Sequence, residues 1–169
     1  MKSIGTKELR TERLILRKMR NSDAEDLHRA GVMGETTEEA REIVERIMQY
    51  NDDPMTFHWV LEYQGAAVGR IKAWEVNPRD DYAQLGYDIG AAYRSMGLMT
   101  EAVKAVVKYL VQEAEMNRVY CLVRESNLPS IRVCEKAGMQ REGKMRKHFK
   151  EPDGSYVDVA VFGILRSEI

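Results

Sequence analysis

Residues 84–101 read QLGYDIGAAYRSMGLMTE. The stretch begins as a strand, passes through a short loop holding Arg94 and Gly97, and runs directly into the helical pattern of residues 100–114. In that pattern Ala102, Val103, Val106, Val107, Leu110, Val111 and Ala114 form one apolar stripe, with charges on the other face. Residues 119–124 follow as a nearly continuous apolar strand, expected to be buried on both faces. Strand, helix, strand in this order requires a parallel or mixed sheet with helices packed on it. The expected fold class is therefore α/β, a three-layer αβα sandwich with a mixed sheet.

Working outward, the pattern extends in both directions. On the N-terminal side, residues 11–17 (TERLILR) alternate as a strand. Residues 21–30 read as a short helix, with Ser22 and Glu25 at capping-box spacing. Residues 36–50 read as a second helix with Ala40, Ile43, Val44, Ile47 and Met48 on one face, stopped by Asn51-Asp52-Asp53-Pro54. Residues 57–63 and 67–74 are strands joined by a turn at Gln64-Gly65, and residues 83–91 are a further strand. On the C-terminal side, residues 130–137 form a short helix, with Pro129 near its first turn and Gly138 at its end. Residues 156–165 are a final strand. There is no repeat, low-complexity stretch or Gly/Pro/Ser-rich linker, so residues 1–169 are expected to form a single domain.

Composition narrows the function classes. Hydrophobic residues are 44% and charged residues 31% of the 169, which is globular composition. A chain of this length buries roughly 70% of its unfolded surface and needs no metal or disulfide staple. Twenty-six basic against twenty-seven acidic residues give a net charge of −1, unlike a basic nucleic-acid binder. No apolar run approaches the ~20 residues of a membrane span. The N-terminus MKSIGT lacks the apolar core of a signal peptide. With only Cys121 and Cys134 and no Cys-x-x-Cys, the expected location is the cytoplasm. His28, His58 and His148 have no ligand spacing, so no metal is expected. Most of the ten methionines read as packing, as do the two cysteines.

Two segments carry chemistry. A strand–loop–helix connection presents free backbone N–H groups to an anion, and Arg94 adds a fixed positive charge. A helix N-terminus alone supplies only about half a charge, so a diphosphate would need the loop amides and Arg94 as well. The alternative is a plain connection whose glycine serves the turn. The sequence contains neither a P-loop nor a dinucleotide Gly-x-Gly-x-x-Gly motif. The second segment, residues 125–139 (ESNLPSIRVCEKAGM), sets Asn127 and Ser130 just past the buried strand. They are placed to reach a ligand in the crevice beside that strand or simply to cap the next helix. Both loops leave the C-terminal ends of neighbouring parallel strands, where open α/β sheets bind ligands.

With these segments in view, nearly the whole chain resembles the GNAT superfamily of N-acetyltransferases, in the branch of the RimJ/RimL-type ribosomal-protein N-terminal acetyltransferases. TERLILR resembles the first strand, LGYDIGAAYRSMGLMTEAV the acetyl-CoA diphosphate segment, ESNLPSIRVCEKAGMQREG the next strand and helix, and DGSYVDVAVFGILRSEI the closing hairpin. The family's loop reads Arg or Gln, two residues, Gly, one residue, then Gly or Ala. Here it is Arg94-Ser95-Met96-Gly97-Leu98-Met99, with Met99 in place of the small residue. The resemblance implies splayed central strands with pantetheine between them near Ile89 and Ala91. It implies acetyl-CoA gripped by Arg94, Ser95, Met96, Gly97, Leu98, Met99 and Thr100, with Asn127 on the pantetheine and Ser130 at the leaving thiolate. It further implies direct attack by a primary amine.

The family often has a Glu where Gln84 stands, and Gln takes no proton. Asp88, on the same strand face as Gln84 and Gly86, and Glu75 on the preceding strand are the remaining base candidates. A free α-amine, pKa about 8, is about one-tenth neutral at pH 7, while a lysine amine near ~10.4 is about 0.04% neutral. A site without a strong base therefore favours a protein N-terminal α-amine. The alternatives are a small amine (polyamine, amino acid or antibiotic) or a non-catalytic CoA-binding module; a homodimer is left open. Trp59, Trp74 and Tyr82 either line an acceptor groove or fill the sheet. Arg132 and Lys136 either approach the 3′-phosphate or stay solvated. The basic run 141–150 (REGKMRKHFK) reads as a surface hairpin or an attraction for an acidic partner.

Overall fold

In the computed structural model, which describes residues 1–169, strands and helices alternate in the order β1 (Leu9–Arg10), β2 (Leu14–Arg17), α1 (Asp23–Arg29), α2 (Thr37–Met48), β3 (Phe57–Tyr63), β4 (Ala66–Asn77), β5 (Tyr82–Ile89), α3 (Leu98–Gln112), β6 (Arg118–Arg124), α4 (Leu128–Lys136), β7 (Gln140–Lys150) and β8 (Tyr156–Leu165). The strands form one eight-stranded sheet in the order β1-β2-β3-β4-β5-β6-β8-β7. β5 and β6 run parallel, and every other neighbouring pair is antiparallel. This is the mixed α/β sandwich expected from the sequence.

Alternation along β3 decides the layering. Phe57, Trp59 and Leu61 join the larger core with the buried stripe of α3, while Val60 faces the other way into a second cluster with Ala24, Leu27, Ala40 and Val44 of α1 and α2. The β3–β4 hairpin turns on Gln64 and Gly65, both left-handed at φ 52° and 83°. That is the mirror-image turn whose twist suits a two-residue hairpin. α2 is capped by Thr36, whose hydroxyl accepts the Glu39 N–H at 3.2 Å.

The feature that matters for function is the parting of β5 from β6. They pair only at Tyr82–Arg118, Ala83–Val119 and Gln84–Tyr120. Beyond Gln84, β5 stays with β4 as far as the Gly69–Ile89 pair, and β6 stays with β8 as far as Arg124–Val159. From Leu85 onward the sheet has a wedge-shaped gap with an unpaired strand edge on each side.

Several expectations need correction. Ser22 does not cap α1; Asp23 instead accepts the Arg20 N–H at 2.7 Å, and Glu25 is engaged by Arg41. The strand predicted to reach Ala91 ends at Ile89, because residues 91–93 wind into a 3-10 turn. α3 starts two residues earlier than predicted, at Leu98, immediately after the left-handed Gly97 (φ 79°). β6 is buried on one face only: Val119, Cys121 and Val123 are buried, while Tyr120 and Leu122 are half-exposed, since no helix covers their side. The basic run, by contrast, is one arm of a hairpin as read: it forms the edge strand β7, paired with β8.

Candidate active site

The gap and the loop before α3 open on one cleft of about 560 Å³. Ile89, Arg94, Ser95, Gly97, Leu98, Met99, Thr100, Asn127 and Ser130 line it, as do Asp88, Arg132 and Lys136. Ala91 and Met96 are adjacent in the chain but do not line it, and Glu75 lies elsewhere. The first α3 hydrogen bond is from the Glu101 N–H to the Gly97 carbonyl, at 3.0 Å. No amide from Ser95 to Thr100 donates to another protein group. Six successive free donors at a helix start are suited to an anion. Left-handed backbone at Ser95 (φ 61°) and Gly97 bends the chain around the cleft. The Met99 side chain is 6% exposed and belongs to the main core, so its bulk is directed away from the loop amides. Arg94 Nε lies 3.4 Å from the Ile89 carbonyl, which ties the loop to the end of β5.

Across the gap, Asn127 both lines the cleft and caps α4, its side chain accepting the Ser130 N–H at 3.2 Å. Behind Ser130 stands Tyr87, a cleft residue on the strand face opposite Gln84, Gly86 and Asp88. Its hydroxyl is 2.8 Å from Ser130 Oγ and 3.4 Å from Cys134 Sγ. Burial, with the neighbouring cysteines, keeps the Tyr87 phenol protonated well above its usual range. Cys121 and Cys134 are buried, and the neighbouring Cys134 thiol, reinforced by burial, pushes the Cys121 thiol well up, leaving it inert.

On the opposite face of the sheet the gap meets a second cleft of about 340 Å³, lined by Glu75, Tyr82, Gln84, Tyr120, Met145 and His148 among others. Glu75 sits in a β-bulge with left-handed backbone (φ 46°), and Tyr120 donates to its Oε2 at 2.8 Å. Burial and the Glu75 carboxylate together hold the Tyr120 phenol above its usual range. Gln84 and Tyr120 form the last paired rung before the strands part, so these groups stand at the fork. Asp88 is exposed and paired with Arg70 at 3.3 Å. Of the three aromatics weighed, Trp59 is fully buried with Nε1 donating to the Lys7 carbonyl at 2.7 Å. Trp74 lies over Gly86 with Lys72 Nζ 3.3 Å from its ring, and Tyr82 lines the second cleft. Tyr120, Met145 and His148 carry no local signal in the sequence; the pairing of β6, β8 and β7 brings them together. No group of three or more His, Cys, Asp or Glu is placed to hold a metal ion, and no helix is long and apolar enough to cross a membrane.

This arrangement has counterparts of known kind. The family profile described as an acetyltransferase (GNAT) domain matches residues 13–140. The p20 protein of Bacillus licheniformis, named as an N-acetyltransferase, is 27% identical over 173 residues, spanning 95% of this chain and 97% of p20. A GNAT-family acetyltransferase structure from Bacillus anthracis superposes with a TM-score of 0.81 at 25% identity, covering 96% of this chain and 100% of that one. RimL, a ribosomal L7/L12 α-N-protein acetyltransferase solved in complex with coenzyme A, shares the fold with a TM-score of 0.83 at 18% identity, over 94% of this chain and 98% of RimL. The free amides, the parted strands and the matched profile lead to one conclusion: this chain is an acetyltransferase enzyme of the GNAT family.

Proposed function

We propose that the enzyme takes its acetyl group from acetyl-CoA and transfers it to the α-amine of a polypeptide N-terminus. The observation that carries the donor assignment is the run of unpaired amides from Ser95 to Thr100 at the mouth of the gap. These donors, with Arg94, suit a diphosphate, and Arg132 and Lys136 on the rim suit the 3′-phosphate. The open edge of β5 beyond Gln84 offers backbone groups to pantetheine, with Asn127 across the gap. The thioester supplies an activated acyl carbon. A backbone N–H near Ile89 or Ala91 takes its carbonyl oxygen; one such donor is worth about 3 kcal/mol in a dry site. Ala91 at the start of the 3-10 turn donates to no protein group, which supports that role.

The amine comes from the second cleft, on the other side of the sheet. As the N–C bond forms and the C–S bond breaks, the amine proton passes to Glu75, whose carboxylate Tyr120 holds in place. The Ser130 hydroxyl, backed by Tyr87, hydrogen-bonds the departing thiolate. Asp88 is less suited to accept the proton because Arg70 already engages it. One exposed carboxylate is a modest base, and a modest base favours an amine that is already partly neutral at pH 7. The fold shared with RimL, named for an α-N-protein activity, supports the same acceptor class.

The test is a panel of acceptors with purified enzyme and acetyl-CoA, read by mass spectrometry. Peptide α-amines should be turned over faster than lysine ε-amines at pH 7, by up to about 250-fold on amine ionisation alone. Faster turnover of lysine, or of a polyamine or amino acid over every peptide, rejects the N-terminal assignment.

A further inference from the structure

Arg13, just before β2, lies outside both clefts, yet it touches the loop between them and the helix. Its Nη1 donates to the Met96 carbonyl at 2.8 Å. Nε donates to Glu101 Oε2 at 2.8 Å, and Nη2 reaches the same oxygen at 2.7 Å. Glu101 also accepts the Arg13 backbone N–H at 2.9 Å and the Thr11 hydroxyl. Thr11 is fixed in turn by Leu14, whose N–H donates to its hydroxyl oxygen at 3.0 Å. The start of β2 and the first turn of α3 are thus joined by a charge-assisted clasp.

Two consequences follow from elementary geometry and charge. In a planar trans peptide the C=O and the next N–H point in opposite directions. The peptide gripped through the Met96 carbonyl is the one that carries the Gly97 N–H. Holding that carbonyl toward Arg13 turns the Gly97 N–H the other way, and Gly97 lines the cleft. Glu101 is also a carboxylate in the first turn of α3, close to where an anion would sit. Burial alone would raise its pKa, but Thr11 and Arg13 outweigh this and hold it ionised. Arg13 supplies the charge that offsets it. The fit is close: a Cβ at Gly97 would lie 3.4 Å from Arg13 Nη2.

We propose that Arg13 is a positioning residue of the donor site: by clasping the Met96 carbonyl and Glu101 it aims the Gly97 amide at the diphosphate and offsets the Glu101 carboxylate, which would otherwise repel it. The inference rests on the reading of the Ser95–Thr100 loop as the diphosphate site. Arg13 does not line the cleft, so its effect is confined to what the loop binds.

The experiment compares two acyl donors, acetyl-CoA and S-acetylpantetheine, which lacks the diphosphate, on wild-type enzyme and on Arg13→Met, which keeps the aliphatic stem. The expected result is a roughly tenfold rise in KM for acetyl-CoA with kcat within about twofold, the size expected for losing one charge-assisted contact. kcat/KM for S-acetylpantetheine should be unchanged. Arg13→Lys, which keeps the charge but cannot hold the Met96 carbonyl and Glu101 together, should shift KM in the same direction by less, and it serves if Arg13→Met does not fold. An unchanged KM for acetyl-CoA, or an equal loss with both donors, overturns the positioning role. A wild-type enzyme that uses the two donors equally well overturns the diphosphate reading itself and the proposal with it, before any variant is considered.

Discussion

His58 has an imidazole Nε2 that is buried with no hydrogen-bond partner. Burial, with Arg70 and Lys72 across the strand pair, lowers its pKa from 6.5 to about 3, so it is neutral in the folded protein at neutral pH. The folded pKa lies below the unfolded one. As pH falls from about 6.5 toward 3 the unfolded chain takes up a proton that the folded chain refuses, and stability declines across that window by at most ~1.4 kcal/mol per pH unit. Urea unfolding at about pH 7 and about pH 4.5 should show His58→Leu losing less stability than wild type between the two. An equal loss in both proteins would mean that His58 is not the group responsible. Glu75 and Tyr120 make a catalytic prediction at the same scale. Glu75→Gln should lower kcat by about 10²-fold or more, with KM for acetyl-CoA little changed, and steepen the demand for high pH, because the amine must then arrive already neutral. A pH–rate profile identical to wild type would exclude Glu75 as the proton acceptor.

At the scale of elements, glycines decide how β4, β5 and α3 meet. Gly69 lies opposite Ile89 at the lip of the gap, and a Cβ there would come 2.6 Å from the Asp88 carbonyl, a backbone atom that cannot step aside. Gly69→Ala should therefore displace the end of β5, lowering stability by about 1–3 kcal/mol. It should also raise KM for acetyl-CoA, which thermal melting and steady-state kinetics would show together. A wild-type melting temperature and KM would mean that β5 accommodates the methyl group without moving. The helix start behaves differently. Its left-handed Gly97 was readable as a break before an amphipathic helix, and the helix period was plain. β7 was readable as a surface hairpin arm but not in its extent: its residues are almost all exposed and strongly basic, and its length is set by pairing with β8, interrupted by two shifts of register.

For the whole molecule, the joint between the two cores rests on buried charge. Arg17 of β2 makes a fork to Asp23 of α1, at 2.8 and 2.7 Å, and its Nε donates to Glu62 of β3 at 2.6 Å. The Arg17 and Asp23 side chains are only 7% and 3% exposed. Asp23→Ala strips the buried Arg17 fork of its bidentate partner and leaves Glu62 alone to balance the charge, so it should cost about 3 kcal/mol. Chemical denaturation would measure it, and a loss under about 1 kcal/mol would show that water reaches the site and screens the pair.

Sequence by itself determined what depends on short-range periodicity and local chemistry. The strand–loop–helix around Gly97, the stripe of α3 and the Asn127–Ser130 mouth of α4 are all set within a few residues of chain, so their pattern survives in one dimension. The family resemblance implied parted central strands, but tertiary structure alone decided that β5 leaves β6 after Gln84, that the second cleft sets Tyr120 against Glu75, and that Arg13 reaches a loop more than eighty residues away. These depend on which strand edges pair and how sheet twist spreads them. Pairing is a long-range choice made by burial and hydrogen bonding across the whole sheet, and it leaves no mark on the residues next to each other in the chain.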